Sequence, residues 1–186
     1  MEFVTMLWMP ILVGGLAVFI MSALVWTVMP HHKTEWTKLS NEDAVADAIR
    51  AGSPKPGLYS VPYCTDQAEM QTPEFKAKME RGPIVYMTVA PNGAPKMGPM
   101  MAKSFVWSVV IAFFIAYVTW NSVLAPGEQY LAVFRAVGTI GFMTYCMGAC
   151  AESIWFGRPW RSFMLQAFDA LLYGLVLGGV FGWLWP

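Results

Sequence analysis

The sequence predicts an all-α membrane protein, a four-transmembrane-helix bundle with a small proline-rich cytoplasmic insertion between helices 1 and 2. Three observations predict this fold class. Apolar residues make up 56% of the chain, and with 12 Lys and Arg and 12 Asp and Glu only 24 of the 186 residues are charged. The charges leave four long stretches almost uncharged, which is typical of polytopic membrane proteins. Nine of the thirteen prolines fall outside these stretches, between residues 30 and 103.

The apolar stretches are predicted to form four membrane-spanning helices, at residues 3–29, 104–125, 130–152 and 163–185. The first contains 27 residues without an ionisable side chain, whereas about 20 apolar residues are enough to cross a bilayer. The third and fourth are interrupted by Arg135 and Asp169, respectively. Because it is long and lacks a basic leader or a small-x-small cleavage site, we expect the first stretch to be retained as a helix.

The segment 30–103 is predicted to contain only short elements, because its prolines prevent a long helix. Short helices are expected near 41–51 and 73–81, the second with Thr72 as its N-cap, Pro73 at its first position and Gly82 as its stop. The residues between them and after them have the pattern of extended strands. With few large apolar residues, the segment is expected to lie against the membrane face of the bundle or against a partner.

The basic residues predict the orientation of the helices. Nine of the twelve Lys and Arg lie between residues 29 and 104, and two more, Arg158 and Arg161, lie between the third and fourth spans. The positive-inside rule therefore places residues 30–103 in the cytoplasm and both termini on the opposite, periplasmic side. The net charge of zero gives no indication of nucleic-acid binding.

Small residues at helical spacing predict how the spans pack, since helices in lipid associate through close backbone approach. The third and fourth spans carry such residues at steps of three and four along one face. The predicted packing glycines are Gly138, Gly141, Gly148, Gly174, Gly178 and Gly182.

A polar cluster is predicted inside the membrane near the cytoplasmic ends of the third and fourth spans. Its members are Tyr145, Glu152, Gln166, Asp169 and Tyr173. A carboxylate inside a bilayer costs roughly 3 kcal/mol unless it is paired, so Asp169 is expected to face inward toward Tyr145, Tyr173, Gln166 or Arg161. We interpret the cluster as a hydrogen-bonded brace, with a proton or cation relay as the alternative. Arg135, Arg158 and Arg161 are interpreted as interface anchors.

Two groups of residues have the donor types of metal ligands. His31 and Glu35 have the i, i+4 spacing of metal pairs on helices, with His32 beside them and Cys64 as a more distant candidate, although Pro30 argues against a continuous helix there. Met143, Cys146, Met147 and Cys150 form a sulfur stripe on the third span, which we interpret as ordinary packing. No cofactor is predicted, and a transition metal remains the minor alternative.

The stretch "SIWFGRPWRSFMLQAFDALLYGLVLGGVFGWLWP", with "LAVFRAVGTIGFMTY" before it, resembles bacterial four-helix membrane proteins that are grouped only as families of unknown function. In that group an aromatic-Gly-Arg-Pro-Trp turn joins the last two helices. The resemblance covers the C-terminal 60 residues and implies a multi-pass protein of the inner (cytoplasmic) membrane. It implies no activity.

The sequence contains no phosphate loop, dinucleotide fingerprint, nucleophile elbow or zinc-protease motif, so no enzyme class is predicted. We expect a non-catalytic accessory, scaffold or assembly subunit whose partners are the lipid bilayer and other membrane subunits or a second copy of the chain. The alternative is a small oligomeric transporter or proton or cation channel that uses Asp169 and Glu152. A third hypothesis is a metal or redox enzyme that uses His31, His32 and Glu35, with Cys64 as a further candidate.

Overall fold

Helices dominate the computed structural model, which describes residues 2–186. In chain order the elements are α1 (Glu2–Thr27), a 3-10 turn (His31–Thr34), α2 (Glu42–Ala51), β1 (Gly57–Val61), α3 (Gln67–Met70), α4 (Pro73–Arg81), β2 (Val85–Val89), α5 (Met97–Ser122), α6 (Tyr130–Cys146), a 3-10 turn (Met147–Ala149), α7 (Cys150–Trp155) and α8 (Trp160–Leu184). The chain divides into two compact units, one formed by the residues up to Thr37 with Lys96–Pro186, the other by Lys38–Pro95.

Four helical stretches of the first unit are long and apolar enough to cross a membrane. They are Glu2–Thr27, Met97–Ser122, Tyr130–Trp155 and Trp160–Leu184. The prediction of four helices with the length and apolar character of membrane spans is therefore confirmed. The third span is not one regular helix, because a 3-10 turn interrupts it between α6 and α7.

The four long helices share one apolar core. α8 packs against α6 and α1, and α1 also packs against α5. The core residues with no exposed surface include Leu7, Val133, Val137, Leu177 and Phe181. Their side chains come from α1, α6 and α8, and α5 adds Ala112, Ile115 and Ala116 to the same core.

Glycines allow α6 and α8 to approach until their backbones touch. A Cβ atom added to Gly174 would lie 2.6 Å from the carbonyl oxygen of Gly138, and one added to Gly178 would lie 2.7 Å from that of Phe134. The predicted packing glycines Gly138, Gly141, Gly174, Gly178 and Gly182 all lie in this contact.

Gly148 lies outside the glycine contact, contrary to its predicted role in packing. A Cβ atom added to it would meet no other part of residues 2–186 within 4 Å. The reason is that α6 ends at Cys146, so the 3-10 turn takes Gly148 off the face that the helical spacing assigned to it.

A second close contact joins α1 to α5. A Cβ atom added to Gly15 would lie 2.8 Å from the Cα atom of Val109. Gly15 was not among the predicted packing glycines, although "GG" within an apolar helix is the same kind of small-residue signal.

The unit Lys38–Pro95 has a small antiparallel sheet and three short helices. β1 pairs with β2 in a register that sets Gly57 opposite Val89 and Val61 opposite Val85. The predicted helix 73–81 is α4, where the Thr72 hydroxyl accepts a hydrogen bond from the amide of Phe75 at 3.2 Å. Within this fully described unit, Phe75 is the only buried residue.

Candidate metal centre

The carboxylate of Asp169 is hydrogen-bonded to both histidines of the chain. Asp169 lies in α8 and is only 4% exposed. Its two carboxylate oxygens lie 2.8 Å from Nε2 of His31 and 2.7 Å from Nε2 of His32. The histidines follow α1, so one carboxylate joins the first and last spans.

The turn after α1 places the two imidazole rings. α1 ends at Thr27, and the backbone at Pro30 starts the 3-10 turn His31–Thr34. The ring of His32 stacks on that of Trp26 with centroids 4.0 Å apart, and the ring of His31 meets Phe168 edge-on at 5.6 Å. These aromatic contacts fix both rings toward α8.

Glu35 supports His32 from its other side. Nδ1 of His32 lies 2.8 Å from a carboxylate oxygen of Glu35, whose side chain is buried. With both carboxylates ionised, and therefore only accepting, this arrangement corresponds to His32 protonated on both ring nitrogens, the imidazolium form. Burial alone would lower the pKa of His32, but the hydrogen bonds to Glu35 and Asp169 outweigh it and raise the pKa above 6.5.

Arg158 connects this buried group to the surface. Its guanidinium donates to Glu35 at 3.3 Å and to Glu152 at 2.8 Å, and it approaches the amide oxygen of Gln166 at 3.5 Å. Burial would raise the pKa of Glu35, but hydrogen bonds from His32, Ser162 and Arg158 lower it. The hydrogen bond to Glu152 is the main reason that the pKa of Arg158 is raised.

Arg161 holds the 3-10 turn itself. Its guanidinium donates to the Thr34 carbonyl oxygen at 3.2 Å and to the Thr34 hydroxyl at 2.6 Å. Arg158 and Arg161, interpreted from sequence as anchors, therefore both contact the segment that carries the histidines. Arg135 is exposed on α6 and, among the described residues, forms no ion pair with Glu128.

A cavity of about 290 Å³ lies beside the cluster. Its walls include four of the five residues of the predicted polar cluster, Tyr145, Gln166, Asp169 and Tyr173, while Glu152 stands outside and is mostly exposed. The buried hydroxyl of Tyr145 has no hydrogen-bond partner among residues 2–186.

The partners expected for Asp169 were wrong. Its carboxylate is hydrogen-bonded to the two histidines. It forms no hydrogen bond with Tyr145, Tyr173, Gln166 or Arg161. Both partners were visible in the sequence. Asp169 is an isolated acid in an apolar stretch, and the two histidines of the chain directly follow another such stretch. Their pairing depends on which helices are neighbours, which spacing along one helix does not reveal.

The histidines and Asp169 form a set of potential metal ligands. Three possible ligand atoms lie within 4.8 Å of one another: one nitrogen each of His31 and His32 and one carboxylate oxygen of Asp169. Among residues 2–186 this is the one group of its kind. The predicted pairing of His31 with Glu35 does not occur. Because the backbone there is a 3-10 turn, Glu35 meets Nδ1 of His32 instead.

The sulfur candidates do not assemble into a comparable group. Cys146 is buried, but Met143 and Met147 are about half exposed, and no histidine or acid of the described chain joins them as a ligand set. Cys64 lies in the other unit, where its thiol donates to the carbonyl oxygen of Asp66.

Comparison with known proteins provides no relative. No protein-family model matches the chain, and no curated protein and no solved structure matches it. The resemblance to bacterial four-helix membrane proteins stays a prediction.

Proposed function

We propose that this protein is a multi-pass membrane protein that binds one divalent transition-metal ion through His31, His32 and Asp169. The observation that carries the proposal is the convergence of three ligand atoms of suitable type on one point. Two imidazoles and one carboxylate are a ligand set typical of zinc and of non-haem iron(II).

The hydrogen bond between Glu35 and His32 supports the metal interpretation. Metal-bound histidines commonly donate their second ring N–H to a carboxylate, which fixes the ring and makes the ligating nitrogen more basic. Glu35 occupies this position, 2.8 Å from Nδ1 of His32, while Nε2 is directed at Asp169. Glu35 is in turn fixed by Arg158.

Only small movements are needed to admit an ion. The nitrogen to oxygen distances within the triad are 2.7 and 2.8 Å. Two ligands that are each about 2.1 Å from a tetrahedral ion lie about 3.4 Å apart, so these two nitrogen to oxygen pairs must open by roughly 0.6–0.7 Å. The Nε2 proton of His32 would leave, and the ion would replace it as the positive charge facing Asp169.

The rest of the core favours an isolated polar site over a polar path across the membrane. Beyond Tyr173, the buried residues of α8 are glycines, Leu177 and Phe181. The hydroxyls of Ser108 and Thr119, buried in α5, donate to carbonyl oxygens of their own helix. The alternative of a transporter or channel using Asp169 and Glu152 therefore needs residues from a second copy, and proton flux in proteoliposomes tests it.

An accessory, scaffold or assembly role is a second candidate function. This role is favoured by the unit Lys38–Pro95. All residues of that unit are described, and Phe75 is the only buried one. Large apolar side chains such as Leu58 (84% exposed) and Tyr63 (71% exposed) face solvent there, and such residues are typical of a segment that is covered by a partner. The mass and composition of the complex purified in mild detergent test this role.

The membrane arrangement is part of the proposal. We infer a four-helix bundle in the bacterial inner membrane, with residues 30–103 as a proline-rich cytoplasmic insertion and both termini in the periplasm. The distribution of Lys and Arg supports this orientation, and it places the metal site at the cytoplasmic end of the bundle.

Metal analysis of the purified protein tests the proposed function. The protein must carry a tag without histidine, because the native chain has only two histidines. After equilibration with Zn²⁺ and removal of excess ion, we expect one zinc per chain in the wild type and little in Asp169→Asn or His31→Gln. Asp43→Asn, a change at an exposed residue, is the matched control. A zinc-free wild type, or full loading of both variants, would overturn the proposal.

A further inference from the structure

Three protein ligands leave a bound ion with unfilled coordination positions, and the cavity borders two of those ligands, His32 and Asp169. Resting on the proposed function, we propose that the ion binds a small anion from this cavity and that the hydroxyl of Tyr145 donates a hydrogen bond to it. The anion belongs to the class of small carboxylates and similar monoanions with an oxygen or nitrogen donor.

The Tyr145 hydroxyl is the first observation behind this inference. It is buried and makes no hydrogen bond of normal length among residues 2–186, because the nearby Ser108 hydroxyl donates instead to the Ser104 carbonyl oxygen at 3.0 Å. The side chain of Tyr145 lines the cavity. Buried hydroxyl groups are normally satisfied, so an orphaned one in a polar cavity indicates that a water or ligand belongs beside it. The ring of Tyr145 packs edge-on against Tyr173 at 5.2 Å, which limits where the hydroxyl can point.

Charge is the second observation. The groups that border the cavity include one guanidinium, Arg158, and two carboxylates, Glu35 and Asp169. With a divalent ion bound and His32 neutral, the groups that border the cavity carry one net positive charge. Glu152, which pairs with Arg158 at 2.8 Å, lies outside the cavity and is 57% exposed, so solvent screens its charge. A monoanion neutralises it, whereas a second cation would be repelled at this short range.

Size limits the ligand to a small molecule. The cavity volume of about 290 Å³ is at the lower end of the pockets that hold small organic ligands, about 300 Å³. Its other walls include the ring of Trp26, the hydroxyl of Ser22 and the amide of Gln166. A carboxylate could therefore bind the ion through one oxygen and accept from Tyr145 through the other.

The test uses Co²⁺-loaded protein and azide as the probe anion. Co²⁺ reports a new ligand through its visible absorption, and azide is a monoanion with a nitrogen donor. We expect a saturable spectral change in the wild type and about tenfold weaker azide affinity in Tyr145→Phe, because a hydrogen bond to a charged group is lost. Tyr117→Phe, a change at an exposed residue of α5, is the matched control.

The outcomes separate this inference from the proposed function. If Co²⁺ binds stoichiometrically but azide leaves its spectrum unchanged, the open position is disproved and the metal site stands. If Tyr145→Phe binds azide as tightly as Tyr117→Phe does, the role of Tyr145 is disproved. If the wild type binds no Co²⁺, the proposed function itself is contradicted.

Discussion

His32 and Asp169 are 137 residues apart in sequence, and Nε2 of the histidine lies 2.7 Å from the carboxylate of the aspartate. This contact explains how α8 tolerates an acid among apolar residues, because the turn after α1 supplies the opposite charge. The same contact presents ligand atoms from two distant segments to one point.

Removing the carboxylate that supports His32 should weaken metal binding without removing a ligand. Glu35→Gln keeps the size of the side chain but loses the negative charge opposite Nδ1 of His32. We expect metal affinity to fall about 10- to 100-fold, the usual effect of losing such a carboxylate. Competition with a chromophoric chelator measures the affinity, and Glu42→Gln at an exposed position should leave it unchanged. An unaltered affinity in Glu35→Gln would exclude the supporting role.

Metal affinity should rise with pH up to the raised pKa of His32. The proton on Nε2 must leave before an ion can bind, and the hydrogen bonds to Glu35 and Asp169 hold that proton above pH 6.5. Below the raised pKa we expect the apparent affinity to fall about tenfold per pH unit for one released proton. Isothermal titration at several pH values measures this, and a profile that levels off below pH 6.5 would contradict it.

Without metal, the pair of His32 and Asp169 should stabilise the fold as a unit. His32→Ala removes one of the two hydrogen-bond partners of the buried carboxylate, and we expect a loss of about 3 kcal/mol in the free energy of unfolding. Adding Asp169→Asn to that variant should lower the free energy of unfolding little further, because the substitution removes the buried charge that had lost its partner. Unfolding of the four chains of this double-mutant cycle in detergent with a chelator measures the coupling. Additive losses would mean that the contact carries no coupling.

A methyl group between α6 and α8 should destabilise the protein. Gly174→Ala would put a carbon atom 2.6 Å from the carbonyl oxygen of Gly138, so the helices must separate. We expect a loss of about 1–3 kcal/mol, the typical cost of overpacking. Gly179→Ala is the matched control on the same helix, because its nearest neighbour is the Tyr130 hydroxyl at 3.9 Å. Equal thermal stability of the two variants would show that the close contact does not form.

Thiol labelling should reveal the orientation of the chain. In a Cys146→Ala, Cys150→Ala background, a membrane-impermeant reagent added to intact spheroplasts should leave Cys64 unlabelled, because the proposal places residues 30–103 in the cytoplasm. Glu128→Cys, in the turn between the second and third spans, should be labelled in a chain that also lacks Cys64. The reverse pattern would invert the topology and move the metal site to the periplasmic end.

The sequence was sufficient for those parts of the fold that depend on local chemistry. The lengths of the apolar stretches predicted the four spans, and the order of Thr72, Pro73 and Gly82 predicted the bounds of α4. Both signals are read within one segment.

The candidate site could not be predicted in the same way. Asp169 was recognised as an acid that needs a partner, but the choice of His31 and His32 depends on α1 lying beside α8 and on a 3-10 turn that reverses toward the core. Gly148 failed as a packing residue for a related reason, because the turn after Cys146 breaks the helical period from which its face was deduced.

X-ray absorption of the zinc-loaded protein tests the central claim most directly. Imidazole rings leave a distinct scattering pattern, and the chain, without a polyhistidine tag, has only two histidines that could produce it. We predict two imidazole nitrogens at about 2.0–2.1 Å with oxygen completing the shell, and one imidazole in His31→Gln. A shell of sulfur or of oxygen alone, or an imidazole count that His31→Gln leaves unchanged, would contradict a metal centre at His31, His32 and Asp169.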